Sequence, residues 1–115
     1  MLHKILFVAL AVFVAPPLLA QAINVNLTHT SVNVTTSTTE IIALKSNRGY
    51  LLFENDSDET FWCAVGKNAV LNEGIRLNAA GGSYEMSRGE RNIDKREVDC
   101  IHNGTGNKVI LVTEC

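Results

Sequence analysis

Three cysteines, two histidines and one methionine are the residues beyond position 22 best suited to redox or metal chemistry. They are Cys63, Cys100, Cys115, His29, His102 and Met86. A blue-copper site uses two histidines, a cysteine and a weak axial methionine. No methionine follows Cys100-Ile101-His102, however, and His29 lies in a distant threonine-rich segment. We therefore expect two solvent-exposed histidines and a core methionine, without a metal ion or another cofactor.

The segment Asn55-Asp56-Ser57-Asp58-Glu59 clusters side-chain oxygens, which a hard cation such as Ca²⁺ prefers. The EF-hand spacing fails, because there is no glycine at loop position six and no glutamate at position twelve. The segment is instead typical of a solvated hairpin turn.

Nucleophilic chemistry has equally little support in the sequence. There is no Gly-x-Ser-x-Gly elbow and no cysteine beside a histidine on a turn. Ser83 follows two glycines, which serve backbone geometry. Nothing in the spacing of Glu54 and Glu85 favours general acid–base work. We expect no catalytic residues and no enzyme activity.

Residues 1–22 have the features of a secretory signal peptide. Lys4 supplies a positive charge, an unbroken apolar stretch runs from Ile5 to Ala15, and Ala20-Gln21-Ala22 offers the small residues that a signal peptidase requires. Eleven apolar residues are too few to span a bilayer, which takes roughly 20. The sequence predicts cleavage after Ala22, no stable membrane span after cleavage, and a periplasmic or extracellular protein. An uncleaved membrane anchor and a mis-assigned start are the alternatives.

The charge balance beyond the signal excludes one class of partner. The chain has 10 basic and 12 acidic residues. Without Lys4 the balance is 9 − 12 = −3, which argues against nucleic-acid binding.

Short apolar runs separated by Gly, Asn and Asp predict strands throughout the remaining chain. Residues 23–39 read as a threonine-rich strand or extended arm, and residues 40–115 as one domain. Further strands are predicted at 40–44, 50–54, 60–65, 74–77, 83–86, 98–101 and 108–113. Asn103-Gly104 is the strongest hairpin signal, and residues 87–99 read as a charged loop. Seven or eight short strands predict an all-β protein, a small antiparallel β-sandwich of jelly-roll or Ig-like form.

An exported chain meets an oxidising compartment, where its cysteines can pair. Cys63 shares a strand face with Phe61 and Val65, and Cys100 shares one with Val98. Two inward cysteines on separate strands favour a Cys63–Cys100 bridge, between sheets or across neighbouring strands. Cys100–Cys115, Cys63–Cys115 and no bridge are the alternatives.

Several segments resemble, in order, those of small β-rich proteins associated with tailed bacteriophages and prophages. The matching segments are Asn47-Arg48-Gly49-Tyr50-Leu51-Leu52-Phe53-Glu54-Asn55-Asp56-Ser57-Asp58, Val65-Gly66-Lys67-Asn68-Ala69, Gly74-Ile75-Arg76-Leu77-Asn78, Gly81-Gly82-Ser83-Tyr84-Glu85 and Leu111-Val112-Thr113-Glu114. The resemblance covers residues 36–114 and implies a virion-associated or accessory structural module. An export signal does not belong on a virion component, so an exported prophage-encoded copy is the interpretation that accommodates both features.

We therefore expect a non-enzymatic, exported β-sandwich that acts as a structural or binding module on a protein or cell-surface partner. The candidate contact residues are Asp56, Asp58, Arg88, Arg91 and Arg96. Homo-oligomers through the N-terminal arm or Cys115 are a further expectation. The alternatives are a small periplasmic metal-binding protein using His102 with Cys100 or Met86, and a virion head or tail accessory protein with a mis-assigned start.

Overall fold

Eight strands and no helix make up the part of the chain that the computed structural model describes, residues 26–115. The predicted signal peptide and residues 23–25 lie outside the described residues. The strands are β1 Thr28–Val34, β2 Thr39–Ile42, β3 Tyr50–Asn55, β4 Phe61–Val65, β5 Ile75–Leu77, β6 Ser83–Ser87, β7 Val98–His102 and β8 Lys108–Glu114. Every strand predicted beyond residue 40 is present, with its ends shifted by no more than two residues. The threonine-rich segment supplies β1 and the connection to β2.

The strands form two four-stranded antiparallel sheets that enclose the core. Sheet 1 has the order β1-β8-β3-β6 and sheet 2 the order β2-β7-β4-β5. Most connections cross from one sheet to the other, and β4 and β5 are the consecutive strands that pair. This eight-stranded connectivity is that of a jelly roll, one of the two sandwich forms that the sequence predicts.

The turn residues predict two hairpins that the structure does not form. Asn103-Gly104 joins β7 to β8, and residues 56–60 join β3 to β4, yet each of these strand pairs is divided between the two sheets. A hairpin needs a pairing partner immediately across its turn. Here β8 pairs with β1 and β3, while β7 pairs with β2 and β4, so both turns bridge the sandwich instead.

Alternating side chains from both sheets fill the core, as the period-two pattern predicts. Its buried members are Val34, Ile41, Leu51, Phe53, Phe61, Cys63, Leu77, Met86, Val98, Cys100, Ile110 and Val112. Met86 is therefore a core methionine, as expected.

The Cys63–Cys100 disulfide is formed, and it joins neighbouring strands within sheet 2. The two residues face each other in the β4–β7 register, with their Cα atoms 4.1 Å apart, and both are fully buried. The predicted pairing is confirmed, and of its two expected geometries the cross-strand one is observed. Gly74 lies against the same strand, where a Cβ would come 2.4 Å from the Cys63 carbonyl oxygen, so only glycine fits.

Candidate contact surfaces

The connections between strands gather at two ends of the sandwich. Residues 35–38, 56–60, 78–82 and 103–107 form what we call loop end 1, and residues 43–49, 66–74 and 88–97 form loop end 2. Backbone hydrogen bonds hold each set together, for example from Ala80 to the Ser57 carbonyl at loop end 1 and from Lys45 to the Lys95 carbonyl at loop end 2. The connections at each end are therefore held together by backbone hydrogen bonds into one ordered surface.

The five predicted contact residues divide between these ends. Asp56 and Asp58 lie at loop end 1, whereas Arg88, Arg91 and Arg96 lie at loop end 2. They do not form one continuous surface, because successive connections of a jelly roll mostly emerge at alternate ends. A partner contacting both groups at once would have to span the length of the sandwich.

Two of the five residues are engaged in exposed ion pairs. Lys108 Nζ lies 2.8 Å from the Asp58 carboxylate, donates a hydrogen bond to it and lowers the pKa of Asp58. At loop end 2, Arg96 pairs with Asp94 at 2.8 Å. Exposed pairs of this kind contribute little to stability.

The pKa of Asp94 predicts a small loss of stability in acid. Its pKa is lowered from 3.8 to about 2, chiefly because the Arg96 guanidinium donates hydrogen bonds to its carboxylate. A lowered folded-state pKa means that Asp94 stabilises the fold above pH 3.8, and that this contribution disappears as the pH falls through about 2. We expect the variant Asp94→Asn to lack this component, which is below about 1 kcal/mol for an exposed pair. Urea unfolding at pH 5 and pH 2 measures it, and parallel losses in the two proteins would contradict the assignment.

A buried arginine organises loop end 2. The Arg48 side chain is fully buried and donates hydrogen bonds to the carbonyl oxygens of Ala43 (2.7 Å), Asp94 (2.9 Å) and Arg96 (2.9 Å). Its Nε also donates to the Glu114 carboxylate at 3.2 Å. One guanidinium therefore joins two connections of loop end 2 to the last strand. Arg48 lies in the turn Ser46 to Gly49, where no sequence pattern indicates this role.

A buried asparagine plays the corresponding part at loop end 1. Asn55 Nδ2 donates to the carbonyl oxygens of Glu59 (2.7 Å) and Leu77 (3.1 Å), and its Oδ1 accepts a hydrogen bond from Ser57. Asn55 is buried, so the prediction of a solvated turn is wrong at this residue. The signal was present, because Asn55 continues the inward phase of Leu51 and Phe53 along β3.

His102 is buried too, which corrects the expectation that it is solvent-exposed. Its Nδ1 accepts a hydrogen bond from the Gly104 backbone N–H at 2.9 Å, so Nε2 carries the proton and donates to the Gly106 carbonyl at 2.8 Å. Both ring nitrogens are therefore used in holding the β7–β8 connection. His29, the other histidine, is exposed as expected, with Nδ1 2.9 Å from the Thr113 hydroxyl.

We expect His102→Ala to lower the free energy of unfolding by about 1–3 kcal/mol, because it leaves two backbone groups of the connection without their buried partner. His29→Ala is the matched control and should change stability by no more than about 0.5 kcal/mol. Chemical denaturation of both variants measures the difference. Equal stability of the two variants would show that the His102 hydrogen bonds are dispensable.

The outer surfaces of the two sheets differ in accessibility. The middle of sheet 2 is covered, since even Asp99 and Ile101, which alternate with its inward residues, are buried. The Thr38 hydroxyl donates to Asp99 at 2.8 Å and accepts from the Ala69 backbone N–H at 2.8 Å, which ties the β4–β5 connection over this sheet. Sheet 1 is therefore the sheet whose outer surface is open.

The outer surface of sheet 1 carries two shallow grooves with mixed polar and apolar walls. In the strand register, His29, Thr113, Leu52 and Glu85 form one row across it. The larger groove, of about 890 Å³, lies toward loop end 2. Its walls include Leu27, His29, Tyr50, Leu52, Arg88 and Cys115. The smaller groove, of about 340 Å³, includes Ser31, Glu54 and Leu111, the last of these 37 % exposed.

Polar contacts fix several side chains of this surface. The Tyr50 hydroxyl donates a hydrogen bond to Glu85, which is the main reason that the pKa of Tyr50 is raised. Cys115 is half-buried and outside the disulfide.

The residues considered for metal binding are engaged elsewhere in the structure. Cys100 is in the disulfide, both nitrogens of His102 are hydrogen-bonded, and Met86 lies in the core. Within residues 26–115, no group of three or more His, Cys, Asp or Glu side chains is placed to hold a metal ion. No helix in the same range is long and apolar enough to cross a membrane.

Comparisons with known proteins return no match: no family model, curated protein or solved structure is significantly similar to this chain.

Proposed function

We propose that this protein is an exported, non-enzymatic β-sandwich that works by contact, as a structural or binding module of phage or prophage origin. The observation that carries the export part of the proposal is the buried Cys63–Cys100 disulfide. Stable disulfides form in oxidising compartments such as the periplasm or the extracellular space. Together with the predicted signal at residues 1–22, the disulfide supports export.

The use made of the buried polar groups supports contact rather than catalysis. The buried polar side chains are Arg48, Asn55, Asp99 and His102, and each is hydrogen-bonded to connections of the fold. A catalytic group, in contrast, must reach a substrate. The polar interior of the described chain therefore serves to hold loops in place, as a presentation scaffold requires.

A virion accessory protein with a mis-assigned start is the second candidate. The jelly-roll topology favours it, because jelly rolls recur in viral capsid and lectin domains. Fold alone does not determine function, so this argument ranks below the disulfide. The metal-binding alternative has no such support, because its proposed ligands hold the fold together.

Fractionation of the producing cells separates these two candidates. We expect the protein in the periplasm, in the medium or on the cell envelope, and not in phage particles sedimented after prophage induction. The control variant Ala20→Leu removes a small residue that the signal peptidase requires, so it should accumulate as a longer, unprocessed chain. Recovery of the wild-type protein in the particles would favour the virion candidate and contradict export.

A further inference from the structure

The outer edge of β1 is an open sheet edge. β1 pairs with β8 along all seven of its residues, from Thr28–Glu114 to Val34–Lys108, without a register shift. Within residues 26–115 no strand lies on its other side, and no backbone group of Thr28–Val34 makes a hydrogen bond to a loop. A strand edge of this length presents a row of backbone donors and acceptors that can pair with another strand.

The other edges of the sandwich carry protective features that natural sheets use against pairing. β2 has a register shift between Glu40 and Ile42, and β5 has only three residues with Arg76 at its centre. At the edge of β6, the Asn92 side chain accepts a hydrogen bond from the Ser87 backbone N–H and donates to the Glu85 carbonyl. These three edges are thereby shortened, bent or covered.

β1 has none of these features. Its seven residues include no proline, lysine, arginine, aspartate or glutamate. The uncharged stretch is longer still, since residues 26–39 contain none of the 22 Lys, Arg, Asp and Glu residues of the chain. Copies of the chain beyond the predicted signal, with a net charge of 9 − 12 = −3, repel one another, and an uncharged edge is where they approach at the lowest electrostatic cost.

We infer that the β1 edge binds a second copy of this chain by antiparallel strand addition, with a two-fold axis at Ser31. Pairing about Ser31 uses the whole strand and places His29 opposite Asn33 of the second copy. In this register Ser31 of one copy lies opposite Ser31 of the other, so residues that face the core in one copy pair with core-facing residues of the other. The two copies of sheet 1 then form one continuous eight-stranded sheet. The contact is isologous and closes at a dimer. This inference deepens the proposed function by naming one partner of the contact module.

Sedimentation velocity of the protein purified from an exporting host tests the inference. We expect the wild-type protein to shift from monomer to a species of twice the mass as its concentration rises. Ser31→Lys and Ser31→Glu should each remain at monomer mass, because like charges would meet at the two-fold axis. An equimolar mixture of these two variants should recover the dimer.

Two controls fix the location and the nature of the contact. Ser83→Lys puts the same charge at an exposed serine on β6, the opposite edge of sheet 1, and should leave the dimer intact. Cys115→Ser should also leave it intact, since the pairing needs no intermolecular disulfide. Hydrogen exchange of the wild-type protein provides a second measurement, with the β1 amides gaining protection as the concentration rises.

Three outcomes would overturn the inference. They are a wild-type monomer up to millimolar concentration, a dimer that persists in both Ser31 variants, and a ladder of larger oligomers that Ser83→Lys abolishes. The last would indicate head-to-tail pairing of β1 with β6. A monomeric wild-type protein in the periplasm would end the strand-addition inference and leave the export proposal standing, so the two failures are distinguishable.

Discussion

Replacing Arg48 by methionine is expected to lower the free energy of unfolding by about 3–5 kcal/mol. The substitution keeps most of the side-chain volume but removes the donors that serve three backbone carbonyls and the Glu114 carboxylate. These acceptors would stay desolvated without a partner, which costs more than the lost contacts alone. Domains of this size are stable by only about 5–15 kcal/mol, so urea unfolding should show a large shift of the midpoint.

The matched control is Arg96→Met, at an exposed arginine of the same loop end whose guanidinium forms an ion pair with Asp94. Its expected cost is small, because exposed ion pairs contribute little to stability. Arg48→Lys should fall between the two variants, because a lysine keeps the charge but cannot direct donors to four acceptors in a plane. If Arg48→Met and Arg96→Met unfold at the same urea concentration, the organising role of Arg48 is wrong.

Removing the disulfide with the double variant Cys63→Ala, Cys100→Ala should cost about 4 kcal/mol in the chain-entropy description. The bridge closes a sequence separation of 37 residues, which restricts the unfolded chain strongly. Both residues also belong to the buried core, so losing the sulfur atoms leaves space that neighbouring side chains must fill. Thermal and urea unfolding of the double variant and the wild-type protein measure the loss.

Cys115→Ala controls for the removal of a cysteine as such. Cys115 lies outside the disulfide and is half-buried at the end of the chain, so its replacement should change stability by no more than about 0.5 kcal/mol. An unfolding midpoint of the double variant equal to that of Cys115→Ala would contradict a stabilising role for the bridge.

The sequence predicts the strands and the disulfide well because both depend on local alternation. In β3, Leu51 and Phe53 point inward and Leu52 outward, as period two requires. The same alternation places Cys63 and Cys100 on inward faces, which restricts their pairing. A local pattern does not show which strands are neighbours, however. For that reason the turn residues predict two hairpins where the chain in fact crosses from one sheet to the other.

The buried polar residues were harder to predict, for two different reasons. Asn55 and His102 each continue the inward phase of a strand, so stricter use of the alternation would have placed both inside. Arg48 has no such signal, because its acceptors come from connections 43–49 and 88–97 and from β8, which only the tertiary fold brings together. The separation of Asp56 and Asp58 from the arginine-rich loop has the same origin in the topology.

The mass of the intact protein, isolated from the cells that produce it without reducing agent, tests the central claim most directly. Export with a formed disulfide predicts a single chain that begins at Ile23 and is lighter by two hydrogens than the fully reduced sequence. Treatment with a thiol-labelling reagent under denaturing conditions should modify only Cys115. A chain that retains Met1 and labels at three cysteines would contradict the account.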